Sequence, residues 1–346
     1  MPRYLSYIIA AAVAMVACSR ERLPVLEDDG TIRFSVSAVN VSSSKAVSDI
    51  PDDYTYLFSD GNQIGVYGSW TSGGATTDVF SHIPVICTDN GDGTYYWAYT
   101  PLKYWRRGGY YDFSAVYPYN VNSQYGSSGN RLVITYSMHA DNYDLMVASA
   151  ERDLDSVDDT SPVEFTFRHA TAAVRFLFCT DSDVNTYKLT SFQLQYLHAV
   201  GILVYNAGTI GLSAWNPAEF RSPSVCEWEA PSLAARMDIT TSYDDFGDDY
   251  AAKEWSKWLF VLPQNLNDDD GNHPAVQFAV NVNDDTTPVY TTLPLPETYD
   301  DDSEDILWKP GYMYTYYIRI QPSTAIITVD VAPWDSYYVA VDDIDF

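Results

Sequence analysis

The sequence predicts an all-β protein that folds as two β-sandwich or barrel domains. Three observations lead to this prediction. Short runs alternate apolar and polar residues, and turn sequences rich in Gly, Asn and Asp separate them. The 29 Tyr and 9 Trp residues suit half-buried, pleated surfaces, and helical periodicity is scarce. The 346 residues are enough for two domains.

Residues 1–17 have the features of a secretory signal peptide. Arg3 supplies a positive charge, and residues 8–17 are uncharged, a run much shorter than the roughly 20 residues of a spanning helix. The four residues Met15–Cys18 resemble the lipobox of bacterial lipoproteins, with Met where Leu is usual. This resemblance implies that the chain is cut before Cys18 and that its sulfur carries a lipid. An ordinary signal peptide that is cut nearby, with Cys18 incidental, is the alternative.

A polar tether, residues 18–30, is predicted to follow, and the first strand comes after it in the run TIRFSVSA, residues 31–38. Apolar residues occupy every second position of this run, as in a half-buried strand. These residues are Ile32, Phe34, Val36 and Ala38. The Ser-rich residues 42–45 then predict an exposed loop.

Similar short runs continue along the chain and predict further strands. They cover residues 63–70, 94–99, 109–118, 131–138, 163–169, 172–179, 189–200, 258–263, 275–282 and 313–320. Residues 151–162 are acidic, polar and without pattern, which favours a domain boundary there. We therefore predict an N-terminal domain over residues 31–158 and a C-terminal domain over residues 159–346.

The charge of the chain excludes some partners. With 47 acidic and 19 basic residues, the formal net charge is −28, which repels nucleic acid and anionic lipid headgroups. No second apolar run approaches bilayer length, so the lipid is the expected membrane anchor.

The cysteines predict thiols rather than a metal site. If Cys18 carries lipid, three cysteines remain, which allow at most one disulfide: Cys87, Cys179 and Cys226. Their spacing is too wide for a zinc site of the CxxC type. Buried or half-buried thiols are the simpler interpretation.

The motifs of common enzymes are missing from the sequence. The five histidines lack HExxH spacing, and no GxSxG, GxGxxG or P-loop motif occurs. His169 is expected at a strand end, in a capping or packing role. The acidic runs do not fit a calcium loop of the EF type. We therefore predict no enzymatic activity, no cofactor and no metal.

Aromatic residues favour one other kind of function, glycan binding at the surface. Residues 94–105, TYYWAYTPLKYW, hold six aromatic rings that could stack on sugars if they were exposed. Alternation would turn about half of the rings inward, so core packing is the competing interpretation.

The C-terminal end of the sequence predicts a strand followed by a second, interrupted run. In TAIITVDV, residues 324–331, Ala325, Ile327, Val329 and Val331 share one face. Pro333 cannot donate a ladder hydrogen bond. Beyond it, alternation resumes with Tyr337, Val339 and Val341, and Asp342-Asp343 shifts Ile344 and Phe346 to the opposite face. This run is either a loosely held strand that a neighbouring molecule receives or a plain final strand.

Several stretches together resemble the fimbrillin family, the type V pilins of Gram-negative anaerobes. They are GNQIGVYGSW (61–70), WAYTPLKYWRRGGYYDFSAVYPY (97–119), DLMVAS (144–149), VEFTFRHATAAVRF (163–176), LWKPGYMYTYYIRI (307–320) and ITVDVAPWD (327–335). The resemblance is weak across roughly residues 183–265.

This resemblance implies two tandem transthyretin-like Greek-key β-sandwich domains, export as a lipoprotein, and a place on the outer membrane and in a fimbrium. It also implies that subunits polymerise by strand exchange after a protease removes the first strand. Such a pilus subunit or accessory pilin would adhere to a host or bacterial surface ligand or act structurally. A monomeric surface lipoprotein that binds glycans is the alternative.

The family is typically cut between Arg and Ala in the loop after its first strand. This chain has Lys45-Ala46 at the matching place, and an Arg-specific protease would reject Lys. A cut at Arg20 or Arg22 would leave the first strand in place. A subunit that is not cut at all, as an anchor would be, is the other alternative.

Overall fold

The computed structural model describes residues 30–38, 58–92, 94–126, 131–155, 159–180, 182, 184–207, 210–218, 220–230, 232, 235–239, 258–266, 273–283, 285–296, 307–321 and 324–333. Within them the chain forms strands and one short 3₁₀ helix, Leu212–Ala214. The prediction of an all-β fold is confirmed. Two transthyretin-like sandwiches stay a prediction. No helix in this part of the chain is long and apolar enough to cross a bilayer.

The strands in chain order are β1 (Phe34–Ala38), β2 (Gln63–Ser72), β3 (Ala75–Asp89), β4 (Tyr95–Ala98), β5 (Tyr110–Tyr117), β6 (Ser123–Gly126), β7 (Arg131–Ser137), β8 (Met146–Asp153), β9 (Val163–His169), β10 (Ala172–Thr180), β11 (Tyr187–Gln195), β12 (Val200–Tyr205), β13 (Trp215–Pro217), β14 (Val225–Glu229), β15 (Met237–Ile239), β16 (Leu259–Val261), β17 (Gln264–Asn265), β18 (Ala275–Val282), β19 (Val289–Pro294), β20 (Leu307–Trp308), β21 (Tyr312–Gln321) and β22 (Thr324–Pro333).

The first sheet has seven strands in the order β1-β9-β8-β5-β2-β3-β4. β1 runs parallel to β9, and the other pairs are antiparallel. The β2–β3 hairpin turns at Gly73-Gly74, whose φ angles of 57° and 80° favour glycine. Strands β1 and β4 therefore form the two edges of this sheet.

The later strands form the other sheets. Two have four strands, in the orders β16-β10-β21-β22 and β13-β12-β7-β6, and one has five, β14-β11-β18-β19, with β15 also paired to β11. β17 and β20 form a two-stranded sheet. The final hairpin, β21–β22, leaves β22 at the edge of its sheet.

Two large apolar cores lie between these sheets. One is built from the seven-stranded sheet and contains Phe80, Phe113 and Phe165, all essentially inaccessible to solvent. The other joins residues from both halves of the chain. Trp308 is inaccessible in the second core, and its indole N–H donates to the Tyr316 hydroxyl at 2.9 Å. Buried polar groups are thus satisfied where these rings pack.

Strand pairing crosses the predicted domain boundary in both directions. β9 follows residue 158 in sequence but lies in the seven-stranded sheet between β1 and β8. β7 precedes that residue and pairs with β12. The boundary itself, at residues 156–158, lies outside the described residues, and the division into domains stays a prediction.

The strand predictions agree with the structure at most places. The predicted runs 163–169 and 275–282 coincide with β9 and β18. The predicted run 189–200 is wrong as a single strand, because the chain turns at Tyr196, with a φ of 57°, between β11 and β12. The run 258–263 shrinks to β16, which has three residues.

Candidate functional site

The first described segment joins the two edges of the seven-stranded sheet. On one side β1 pairs with β9, in the register Phe34 to Val163. On the other side, the Ile32 N–H donates to the Lys103 carbonyl at 2.9 Å, and the Trp105 N–H donates to the Gly30 carbonyl at 2.8 Å. Residues 103–105 follow β4, so residues 30–38 lie between both edges. We call the space that they fill the first-strand groove.

The predicted alternation of the first strand is present in the structure. Ile32 is 0% exposed, Phe34 is 6% exposed and Val36 is half-buried, whereas Ser35 is exposed. Ala38 pairs with Phe167 through the backbone, and its side chain lies outside the described residues. The apolar face of the strand therefore points into the core, as the sequence predicts.

Phe34 is the main anchor of this segment. Its ring stacks on Phe165, with centroids 5.4 Å apart, and meets Phe80, Tyr99 and Phe113 at 5.3, 5.7 and 6.1 Å. We call these four rings the aromatic pocket. Burying a phenylalanine side chain of this kind stabilises a fold by about 1.5–3 kcal/mol.

The pocket also reads the backbone of the first segment. The Tyr99 hydroxyl donates to the Ile32 carbonyl at 2.6 Å and accepts from the Lys103 N–H at 3.2 Å. One phenol thus links the first segment to the loop after β4. Sequence reasoning missed this contact, because a tyrosine within an aromatic run gives no signal of its hydrogen-bond partner.

Loss of residues 30–38 would leave a strand-shaped site. The β9 backbone would lose its partner at one edge, and the aromatic pocket would be uncovered. Exposed backbone N–H and C=O groups beside an apolar slot are the features that bind an incoming strand by β-augmentation.

The second candidate feature is the edge strand β22. Within the described residues it pairs with β21 alone, from Gln321–Thr324 to Tyr312–Pro333. Ala325, Ile327 and Val329 are half-buried against the second core, while Thr324, Ile326 and Thr328 are exposed. This agrees with the predicted faces. The side chains of residues 330–333 lie outside the described residues.

Several predicted site residues lie outside the described residues. They are the lipidation site Cys18, the processing site Lys45 and Ala46, and the donor-strand residues Tyr337, Val339, Val341, Ile344 and Phe346. Lys45 falls between β1 and β2 in sequence, and the donor-strand residues follow β22. These assignments stay predictions.

The aromatic run of residues 94–105 divides as alternation predicts. Four of its rings pack on the first core: Tyr95, Trp97, Tyr99 and Trp105. The other two are exposed, Tyr96 at 48% and Tyr104 at 56%. Core packing is therefore the role of most of these rings.

The histidine and cysteine side chains have structural surroundings. His169 ends β9, and its Nδ1 lies 2.8 Å from a carboxylate oxygen of Asp144, with both side chains largely buried. Cys87 and Cys179 are buried and Cys226 is half-buried, all as free thiols. Burial raises the pKa of the Cys87 thiol to about 11, assisted by Asp60 and Asp89. No group of three or more potential metal ligands occurs among the described residues.

Comparisons with known proteins fit this architecture. A family model described as fimbrillin-like matches residues 46–334. The chain is similar to a solved structure from Bacteroides ovatus, provisionally described as a cell adhesion protein, with 18% identity and a TM-score of 0.51 over 88% of this chain and 96% of that one. A protein of Parabacteroides distasonis with the same description has 9% identity and a TM-score of 0.50, over 88% and 97%.

A protein of Bacteroides uniformis, again provisionally described as a cell adhesion protein, has 16% identity and a TM-score of 0.49, over 88% and 100% of the two chains. Identities this low carry information about the fold alone. A comparison with curated protein sequences finds no significant match.

Proposed function

The chain belongs to the fimbrillin-like family, and on this premise we propose that it is a cell-surface fimbrial subunit or accessory pilin that assembles by β-strand exchange. Its role is structural or adhesive, with no catalytic step. The observation that carries the proposal is the position of residues 30–38, which fill a groove between the two edges of one sheet.

Strand exchange requires a first strand that can be removed without dismantling the rest of the sheet. β1 is an edge strand of five residues, and the six other strands of its sheet pair without it. The loop that holds Lys45 and Ala46 separates it from β2. One cut there would free the groove for a strand from another subunit.

Export and anchoring complete the proposal. The signal peptide directs the chain out of the cytoplasm, and the lipid on Cys18 holds it at the outer membrane. Removal of residues 18–45 would release the subunit from that anchor as it opens the groove. The partners are other fimbrial subunits and a surface ligand of a host cell or bacterium, not nucleic acid.

The proposal is tested by the form of the protein at the cell surface. Polymers held by exchanged strands resist dissociation, because each junction buries a whole strand, so surface preparations should give ladders on SDS gels without boiling. Boiling at higher denaturant concentration should collapse the ladders to one band. A single monomer band under all conditions, from cells that display the protein, would contradict strand exchange.

A further inference from the structure

The loop that contacts the first segment is basic, although the protein is strongly acidic. Lys103, Arg106 and Arg107 place three positive charges within five residues, and no acidic residue occurs between Asp92 and Asp112. Both arginines are exposed, and Lys103 is half-buried. We call residues 103–107 the basic loop.

The basic loop lies at the point where the chain enters the first-strand groove. Its backbone pairs with Gly30 and Ile32, and Thr31 forms an antiparallel bridge with Tyr104. The residues directly before Gly30 are Glu27-Asp28-Asp29. The native occupant of the groove is therefore an apolar strand preceded by acidic residues, and the loop beside its entry is positive.

The same sequence pattern occurs once more in the chain. Ile-x-Phe is found at two places, Ile32–Phe34 and Ile344–Phe346, and the second follows directly on Asp342-Asp343. Ile32 and Phe34 are the most buried side chains of the described first segment. The C-terminal segment thus repeats both features of the native occupant, its apolar pair and its acidic approach.

We propose that the strand which replaces β1 is the C-terminal segment of a second copy, in the register that puts Ile344 at the position of Ile32 and Phe346 in the aromatic pocket. The segment runs parallel to β9, as β1 does. Asp342 and Asp343 then take the positions of Gly30 and Thr31, beside the basic loop. This inference rests on the proposed strand exchange and adds its register and its charge contact.

Charge makes the basic loop a selective entry. Two copies that each carry −28 repel one another at long range, and this repulsion is screened beyond about 8–10 Å at physiological salt. Within that distance, an acidic segment is attracted to the three cations of the loop. An apolar segment without acidic residues would gain no such attraction.

A competing register exists in the same segment. Tyr337, Val339 and Val341 could occupy the positions of Phe34, Val36 and Ala38 and leave Ile344 and Phe346 outside. That register would put Trp334 and Asp335 at the positions of Thr31 and Ile32, and a carboxylate would replace a side chain that is 0% exposed. Burying an unpaired carboxylate is strongly unfavourable, so the first register is preferred.

Crosslinking tests the register directly. The full-length chain is expressed with a specific protease site at residues 43–46, cut to release β1, and allowed to assemble. With p-benzoyl-phenylalanine in place of Phe346, crosslinks are expected to Phe80, Phe113 or Phe165 of a second chain. Crosslinks to these residues from the same probe at Tyr337 instead, or crosslinks within one chain, would overturn the proposal.

A pair of double variants gives an independent measure. Ile344→Ser with Phe346→Ser should slow assembly at least about tenfold, because two buried apolar side chains are lost. The matched control, Val339→Ser with Val341→Ser, should change the rate less than about threefold. A control that slows assembly more than the test pair would contradict the register. If the unmodified cut chain forms no polymer, strand exchange itself fails, and the register is then refuted with it.

The charge contact is tested by exchange of signs. Asp342→Lys with Asp343→Lys should slow assembly, and so should Lys103→Glu with Arg107→Glu. Mixing the two variant chains, so that a lysine-bearing donor meets a glutamate-bearing loop, should restore most of the rate. Equal rates in all mixtures would refute the charge contact and leave the register to the crosslinks.

Discussion

The ring of Phe34 stacks on the ring of Phe165, with centroids 5.4 Å apart and planes inclined by 16°. The two residues belong to the parallel pair β1–β9, and this contact fastens the edge strand to its neighbour. We expect Phe34→Ala to lower the free energy of unfolding by about 3 kcal/mol, since a buried ring is removed and a cavity is left. Urea denaturation measures this loss.

Hydrogen exchange identifies where the loss acts. In Phe34→Ala, the amides of β1 and β9 should exchange faster while those of β18 remain protected. Ser35→Ala is the matched control, because Ser35 is the neighbouring exposed residue on the same strand. If Phe34→Ala proved as stable as this control, the aromatic pocket would not hold the first strand.

The His82 imidazole gives the fold a pH dependence. It lies between the rings of Tyr67, at 5.1 Å and parallel, and Tyr119, at 4.7 Å. The space comes from Gly65, where a Cβ atom would clash with the imidazole. Burial lowers the pKa of His82 below its ordinary value of 6.5, and a backbone hydrogen bond to Tyr119 opposes this in part.

The sign of the effect follows from proton uptake. Below pH 6.5 the unfolded chain binds a proton at this histidine that the folded chain does not, so stability falls as the pH falls through this window. We expect His82→Asn to flatten the change in unfolding free energy between pH 7.5 and pH 5. Asn tolerates the φ of 52° at this position. An unchanged slope in the variant would assign the pH dependence to other groups.

The sequence predicts well the strands whose alternation is regular. β9 and β18 have the predicted bounds because buried and exposed side chains alternate or the apolar run is continuous between clear turns. β3 is missed, although it has 15 residues, because its chain turns irregularly at His82 and the register to β2 shifts there.

The candidate site is predictable only in part, for a physical reason. Alternation within residues 31–38 identifies the buried face of β1, since burial there depends on local pattern. Its parallel pairing with β9 and its contact with residues 103–105 depend on pairings between residues far apart in sequence, which no local pattern encodes. The sequence therefore predicts that the first strand is half-buried but not that it joins two edges of one sheet.

Cys18 is predicted to carry the lipid. Cys18→Ala should abolish labelling of the protein by radioactive palmitate and leave the precursor uncut or mislocalised, because the sulfur that accepts the diacylglycerol is gone. Cys226→Ala is the control and should keep full labelling, since Cys226 is a half-buried thiol of the folded domain. Labelling that persists in Cys18→Ala would show that Cys18 is incidental.

Processing is predicted to occur after Lys45. N-terminal sequencing of the polymeric surface form should begin at Ala46, and Lys45→Gln should shift that start to Cys18 and prevent assembly. Lys103→Gln is a control on a second lysine and should leave the start at Ala46. Polymers whose subunits begin at Cys18 or Ser19 would mean that the first strand stays in place.

The last prediction concerns the segment beyond β22. Residues 335–346 follow an edge strand whose outer face carries the exposed Ile326 and Thr328. β22 keeps its ladder with β21 without them, so deletion of residues 335–346 should leave the monomer folded, with an unfolding midpoint close to that of the full chain. The same deletion should stop the chain from donating a strand, while its own groove still accepts one from a full-length neighbour. A mixture of truncated and full-length chains should then give short ladders that end at a truncated subunit. If the truncated protein assembled alone, the donor would lie elsewhere in the chain. If it unfolded, the segment would be a plain final strand of the fold.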